Sequence, residues 1–177
     1  MSQVSPIYRA IFDGDCKRID ALLTGHDVNQ RTDSGDNWNL LHIALVSVTR
    51  APSPEVVQHL IEIGVDVNAR DRRRWTPLHF AARTKNPAVV KLLLEAGADV
   101  NATDDEGITP LHQGLLTHPV NLEMTEMLLA AGAKTDMLRK YVEVVVSPVK
   151  GKLVDLLAKY ERTCSGPASG ANEKNSI

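Results

Sequence analysis

The sequence predicts an all-α solenoid of about five helix-turn-helix repeats that are joined by short β-turn fingers. Two periodic features lead to this prediction. A Thr-Pro-Leu-His motif begins at Thr76 and again at Thr109, 33 residues later. Glycines that can end a helix recur along the chain, at Gly25, Gly64, Gly97 and Gly132. A pair of short helices cannot bury its apolar faces alone, so this periodicity indicates a stack of neighbouring pairs.

The clearest repeat runs from Trp75 to Asn101. Thr76 is a good N-cap, and Pro77 stands at the first helical position, where its missing N–H is not needed. Asn86 repeats this start signal before a second run of apolar residues at helical spacing. Each repeat is therefore expected to hold two amphipathic helices.

The first three closing glycines are each followed by a Val-Asn pair, at Val28-Asn29, Val67-Asn68 and Val100-Asn101. With the Thr-Pro-Leu-His start, the paired helices and the 33-residue period, this exit motif makes roughly residues 4–160 resemble the ankyrin repeat family. The asparagines are expected to satisfy backbone groups in the turns. The resemblance implies a module that grips protein partners on an extended concave face.

We expect a single repeat domain over residues 1–162 and a disordered tail over residues 163–177, where Ser, Gly, Pro and Asn occur without periodicity. Two turns are longer than in the third repeat, at residues 49–53 and 117–121. The repeats are placed at approximately residues 4–32, 33–70, 71–103, 104–136 and 137–161, and the outer two act as caps.

Two residues depart from the repeat pattern. Arg74 stands where ankyrin repeats usually place glycine, and a side chain there opposes a left-handed turn conformation. Gly114 replaces the first alanine of a helix, which should weaken that helix by about 0.5–1 kcal/mol relative to alanine.

The composition suits thin helical layers. The 177 residues are 43% hydrophobic but only 4% aromatic, which predicts a core of Leu, Val and Ala. The formal net charge of −2 argues against a general nucleic-acid or membrane binder. We see neither a secretory signal nor a long apolar run, and Cys16 and Cys164 do not suggest a disulfide framework. A monomeric cytoplasmic protein is expected.

The sequence holds none of the short motifs of phosphate, dinucleotide or zinc chemistry. His42, His79 and His112 recur in register, but neighbouring helices pack about 10 Å apart, too far for one zinc ion with bonds of about 2 Å. We expect each imidazole to bond backbone beside its own Thr or Asn cap. No metal, cofactor or enzymatic activity is expected; an enzyme would need His42, His79 or His118 paired with a carboxylate across repeats.

The resemblance implies that a partner contacts the finger tips and the exposed side of each first helix. Trp38 and Trp75 occupy the same slot in adjacent repeats, and Ile108 follows them. Tryptophan and arginine are enriched in binding hot spots, although each indole could instead cover the base of its own turn. The candidate partner-binding residues are Asp36, Trp38, Val46, Ser47, Arg72, Arg73, Trp75, Arg83, Thr84, Asp105, Glu106, Ile108, Leu116 and Thr117.

These patterns predict non-catalytic recognition of a protein partner, with inhibition or regulation of that partner as the sharper form, and no small-molecule substrate. One alternative is a bacterial immunity protein that neutralises a toxin enzyme. A remote alternative is nucleic-acid binding by Arg70–Arg74 beside Trp75, since arginine and an aromatic ring can hold phosphate and base. The acidic residues 104–106 argue against it, because the two fingers are expected to partly neutralise each other.

Overall fold

The structure is a computed structural model that describes residues 6–33, 35–47, 53–84 and 86–164. These residues form ten α-helices and no β-strand, and none of the ten helices is long and apolar enough to cross a membrane. The predicted insertion at residues 49–53, apart from Ser53, and the predicted tail from residue 165 onwards lie outside the described residues. The helices are α1 (Pro6–Asp13), α2 (Cys16–Leu23), α3 (Leu40–Leu45), α4 (Pro54–Glu62), α5 (Pro77–Thr84), α6 (Pro87–Glu95), α7 (Pro110–Leu115), α8 (Leu122–Ala130), α9 (Asp136–Val144) and α10 (Lys150–Cys164).

The chain divides into two compact units, Met1–Lys134 and Thr135–Ile177. In the first unit, α1, α3, α5 and α7 pack side by side in chain order, α4, α6 and α8 form a second row, and each first helix packs on the helix that follows it. The all-α repeat architecture predicted from the sequence is confirmed. The core of this unit is aliphatic, and its largest fully buried side chains include Leu41, Leu45, Leu60, Leu78, Leu93, Leu111 and Leu128.

The second unit holds α9 and α10, which pack on each other. Leu138 of α9 and Leu153 of α10 are fully buried. α10 ends at Cys164 and therefore includes the first two residues of the predicted tail. The single domain over residues 1–162 stays a prediction.

A short finger precedes the first helix of each of three consecutive repeats. In the middle one of these three repeats the Asp71 N–H donates to the Trp75 carbonyl over 2.9 Å and closes the turn. The second-to-last residue of each of these turns has a positive φ, which is 58° at Asn37, 63° at Arg74 and 76° at Gly107. Arg74 thus adopts the left-handed conformation despite its side chain, at a steric cost of about 1–2 kcal/mol. We name the turns finger 2 (residues 32–33 and 35–38), finger 3 (residues 71–75) and finger 4 (residues 104–108).

Replacing Arg74 by glycine is expected to raise the free energy of unfolding by about 1 kcal/mol. Glycine adopts a positive φ without steric cost, while its greater freedom in the unfolded chain offsets part of that gain. Urea unfolding followed by circular dichroism measures the change. The reciprocal variant Gly107→Arg should lose a similar amount, and a destabilised Arg74→Gly variant would contradict the argument.

Asparagine side chains bridge successive repeats. The Asn68 side-chain amide donates to the Gly97 carbonyl over 3.0 Å, and its oxygen accepts from the Asp99 N–H over 2.7 Å. Asn29 and Asn101 make the corresponding pair of bonds to the repeats that follow them. The predicted role of these asparagines in satisfying backbone groups is confirmed, and each bond pair also fixes the register between two repeats.

Packing explains why glycine stands at position 114, which the sequence did not indicate. A Cβ atom at Gly114 would lie 2.9 Å from the Cε of Met124. Met124 is fully buried. The glycine therefore leaves in α7 the space that the end of the Met124 side chain fills.

Candidate protein-binding surface

The Trp75 indole is fixed between fingers 3 and 4. Its Nε1–H donates to Asp104 Oδ2 over 2.7 Å, and the other carboxylate oxygen of Asp104 accepts backbone N–H groups of finger 4. The indole stacks on the His79 imidazole, with ring centroids 5.9 Å apart and an interplanar angle of 23°. It also meets the Phe80 ring edge-on at 5.2 Å. Trp75 thus covers the base of its own turn and positions the neighbouring finger.

Trp38 occupies the same slot one repeat earlier but is held by fewer contacts. Its indole meets the Phe80 ring edge-on at 6.3 Å, and its backbone N–H donates to the Thr32 hydroxyl over 3.0 Å. The indole N–H makes no hydrogen bond to any residue that the structure describes. The side chain is partly exposed. Trp38 therefore keeps an apolar ring partly exposed, together with a donor that no described residue uses.

The Arg83 guanidinium lies close to the Trp75 and Phe80 rings. Its guanidinium carbon lies 5.6 Å from the centre of the Trp75 ring system and 5.1 Å from that of Phe80, which are cation–π distances. One of its nitrogens, Nη2, donates to the Val46 carbonyl of the preceding repeat over 3.0 Å. Burial lowers the pKa of the Arg83 guanidinium, but arginine stays charged at physiological pH. These contacts hold the charge in place.

A pocket of about 560 Å³ opens between fingers 2 and 3. We call it the aromatic pocket. Its volume falls in the range of about 300–1,000 Å³ that is typical of ligand clefts. Two of its lining residues, Asp71 and Phe80, were absent from the sequence-based candidates, because Phe80 is almost fully buried and Asp71 looked like a turn residue only. The pocket is lined by Asp36, Trp38, Val46, Asp71, Arg72, Arg73, Trp75, Phe80 and Arg83.

A second, smaller pocket of about 240 Å³ lies between fingers 3 and 4, and we call it the acidic pocket. Leu116 stands at its edge with 53% of its surface exposed. Asp104 and Gln113 are the lining residues that the sequence-based candidates missed. The pocket is lined by Arg73, Trp75, Asp104, Asp105, Glu106, Ile108, Gln113 and Leu116.

Three predicted site residues, Ser47, Thr84 and Thr117, line neither pocket. The Thr84 hydroxyl donates to the Ala81 carbonyl over 2.9 Å, and the Thr117 hydroxyl donates to the Gly114 carbonyl over 2.7 Å. Both threonines thus complete the end of their own helix. The other eleven predicted residues line one pocket or both.

Arg73 of finger 3 lines the acidic pocket together with Asp105 and Glu106 of finger 4, so opposite charges are neighbours there. The Asp105 N–H donates to the Arg73 carbonyl over 3.2 Å, so the two finger backbones lie side by side. Within the described residues, however, no ion pair joins Arg72 or Arg73 to Asp105 or Glu106. The absence of an ion pair does not decide whether the two fingers partly neutralise each other, which stays a prediction. The exposed side chains leave a basic and an acidic patch next to each other.

The histidines that recur in register hold the repeats together. The Thr76 N–H donates to His79 Nδ1 over 3.1 Å, so Nδ1 is an acceptor and Nε2 carries the proton. Nε2 then donates to the Ile108 carbonyl of finger 4 over 3.0 Å. His42 makes the corresponding bonds to its own cap and to finger 3. The predicted bonds between imidazole and cap are confirmed at these two positions. The same two imidazoles also donate to a carbonyl of the next repeat.

Both buried imidazoles are neutral at neutral pH. Burial lowers the pKa of His42 to about 4, and it also lowers the pKa of His79 below its usual value of 6.5. The hydrogen bond from each ring to the next finger opposes the shift without overcoming it. Among the described residues, no group of three or more His, Cys, Asp or Glu side chains could hold a metal ion.

Helix pairs in register, glycine-ended turns and aligned fingers define a helical repeat protein with a surface suited to macromolecular partners. The chain belongs to the ankyrin repeat family: the family model described as ankyrin repeats (3 copies) matches residues 7–104 and, overlapping, residues 45–138. A search of curated proteins returned no match. Ankyrin repeats are protein-protein interaction modules, so the predicted class of function is confirmed at that level.

Proposed function

We propose that this chain recognises a protein partner, without catalysis, through fingers 2 to 4 and the exposed side of α3, α5 and α7. The observation that carries the proposal is the aromatic pocket, whose lining brings together the partly exposed Trp38, with an indole N–H that no described residue accepts, and the arginines of finger 3. Tryptophan and arginine in a part-enclosed pocket are the residues that most often dominate binding energy at interfaces.

The proposal extends to what binding does. The buried imidazoles of His42 and His79 are bonded to backbone carbonyls of the next finger, so they are not available for catalysis. The chain would then act on its partner by covering part of the partner's surface, which supports inhibition or regulation as the outcome. We place the chain in the cytoplasm as a monomer before binding. Its free Cys16 is compatible with a reducing compartment.

Replacing Trp38 by alanine tests the proposal, because it removes the ring and donor offered to the partner while disturbing few internal contacts. The partner retained by the wild-type chain from native lysate is purified, and its dissociation constant is measured for both proteins. We expect binding to weaken about 30-fold or more, the effect of losing a hot-spot residue of about 2 kcal/mol.

Two further variants make this result specific. Trp38→Phe keeps an aromatic ring but not the N–H donor and should recover part of the affinity. Lys91→Ala changes an exposed residue of α6 and should leave binding unchanged. Melting temperatures of all variants show whether the fold is intact. Equal affinity of wild type and a folded Trp38→Ala variant would sink the proposed site.

A further inference from the structure

We infer that the partner presents to this surface an acidic and a basic side chain about 10 Å apart, which is the spacing of neighbouring repeats. The acidic group lies against Arg72 and Arg73, and the basic group lies against Asp105 and Glu106. The inference rests on the proposed function, because it names the chemistry of the partner that the same surface takes.

The first support is the opposite charge balance of the two adjacent pockets. The aromatic pocket is lined by three arginines, Arg72, Arg73 and Arg83, against two aspartates, Asp36 and Asp71, whereas the acidic pocket is lined by Asp104, Asp105 and Glu106 against Arg73 alone. Arg72, Arg73, Asp105 and Glu106 are exposed and form no ion pair with one another in the described part of the chain. A partner with a single sign of charge would meet repulsion at one of the two pockets.

The second support is the apolar lining beside each patch. Trp38, Val46 and Phe80 lie beside the arginines, and Ile108 and the exposed Leu116 lie beside the acidic pair. Long charged side chains bury their aliphatic stems on apolar surface while the charged head stays polar-bonded. The lining therefore suits the stem of Lys or Arg at the acidic pocket, and the expected acid at the aromatic pocket is Asp or Glu.

The unused indole N–H of Trp38 favours a hydrogen-bond acceptor in the aromatic pocket. It adds a donor to those of Arg72 and Arg73, so these three side chains favour an acceptor in a pocket that Asp36 and Asp71 also line. Charge-assisted bonds from arginine to a carboxylate are stronger than neutral ones. These groups favour a carboxylate over a neutral amide in this position.

The distance between the basic and the acidic patch sets the spacing of the two charged residues in the partner. An extended segment of polyproline II type rises about 3.1 Å per residue and has three residues per turn. Side chains three residues apart then point to the same side and lie about 9 Å apart. The expected pattern is thus an acidic residue three positions from a basic residue, in an extended segment.

A library of short random peptides displayed on phage, selected on the full chain, tests the inference. Counter-selection on the Trp38→Ala variant removes peptides that do not use the aromatic pocket. We expect the retained peptides to be enriched in Asp or Glu three positions from Lys or Arg. The affinity of synthetic copies should fall at least about tenfold for the Arg72→Glu/Arg73→Glu variant.

A charge-exchanged protein provides the matched control. The variant Arg72→Glu/Arg73→Glu/Asp105→Arg/Glu106→Arg changes four exposed residues and leaves the net charge unaltered. It should lose the original peptides and bind copies in which acidic and basic residues are exchanged. This recovery distinguishes paired charges from general attraction.

The possible failures are distinguishable. Retained peptides without the paired charges, or no loss of affinity in the Arg72→Glu/Arg73→Glu variant, would overturn the inference and leave the proposed function standing. The absence of any peptide that depends on Trp38 would overturn both. A fluorescent single-stranded oligonucleotide is the last probe: binding that the same variant abolishes would assign the arginines to phosphate and overturn the inference.

Discussion

The His79→Ala variant is expected to lose about 3–5 kcal/mol of unfolding free energy, a large part of the stability of a domain of this size. His79 is fully buried and joins the Thr76 cap of its own helix to the Ile108 carbonyl of finger 4. Each buried partner left unsatisfied costs about 1–3 kcal/mol, and the cavity beneath the stacked Trp75 ring adds to this.

Urea unfolding at pH 7.5, followed by circular dichroism, measures the loss. The exposed His26→Ala variant is the control and should change stability by less than about 0.5 kcal/mol. A loss below about 1 kcal/mol for His79→Ala would show that the bridge to finger 4 is not stabilising. The same variant separates a structural from a catalytic histidine, because only a catalytic one would abolish an activity without unfolding the protein.

Acid is expected to destabilise the fold as the pH falls from 6.5 towards 4. The folded chain keeps His42 neutral down to about pH 4, whereas the unfolded chain binds a proton there near pH 6.5. Unfolding therefore takes up a proton in this window, so stability is full above pH 6.5 and declines below it. The shift corresponds to about 3 kcal/mol for His42 at pH 4, and His79 acts in the same direction.

Nuclear magnetic resonance titration of the His42 imidazole tests this prediction without interference from the carboxylates. Its resonances should stay unchanged between pH 7.5 and 5, and the same ring in concentrated urea supplies the unfolded reference. Urea unfolding at several pH values then gives the stability change itself. Titration of the folded ring near pH 6.5 would contradict the assigned burial and its hydrogen bond to the Trp75 carbonyl.

The sequence by itself determined the repeat architecture. Helix starts such as Thr76-Pro77, ends such as Gly97 and the period of 33 residues act within one repeat, so they can be read from neighbouring residues. The bonds of His79 to its cap follow from the same local chemistry.

Only the tertiary structure decided how equivalent residues of successive repeats differ. Trp38 and Trp75 occupy equivalent positions in adjacent repeats. Asp104 accepts the indole N–H of Trp75, whereas no described residue accepts that of Trp38. The opposite charges that fingers 3 and 4 bring side by side are likewise invisible in a single repeat. These features involve residues about one repeat apart in sequence, and their geometry depends on how the repeats stack rather than on local propensity. The space that Gly114 leaves for Met124 lies within one repeat, but it depends on how α7 packs on α8.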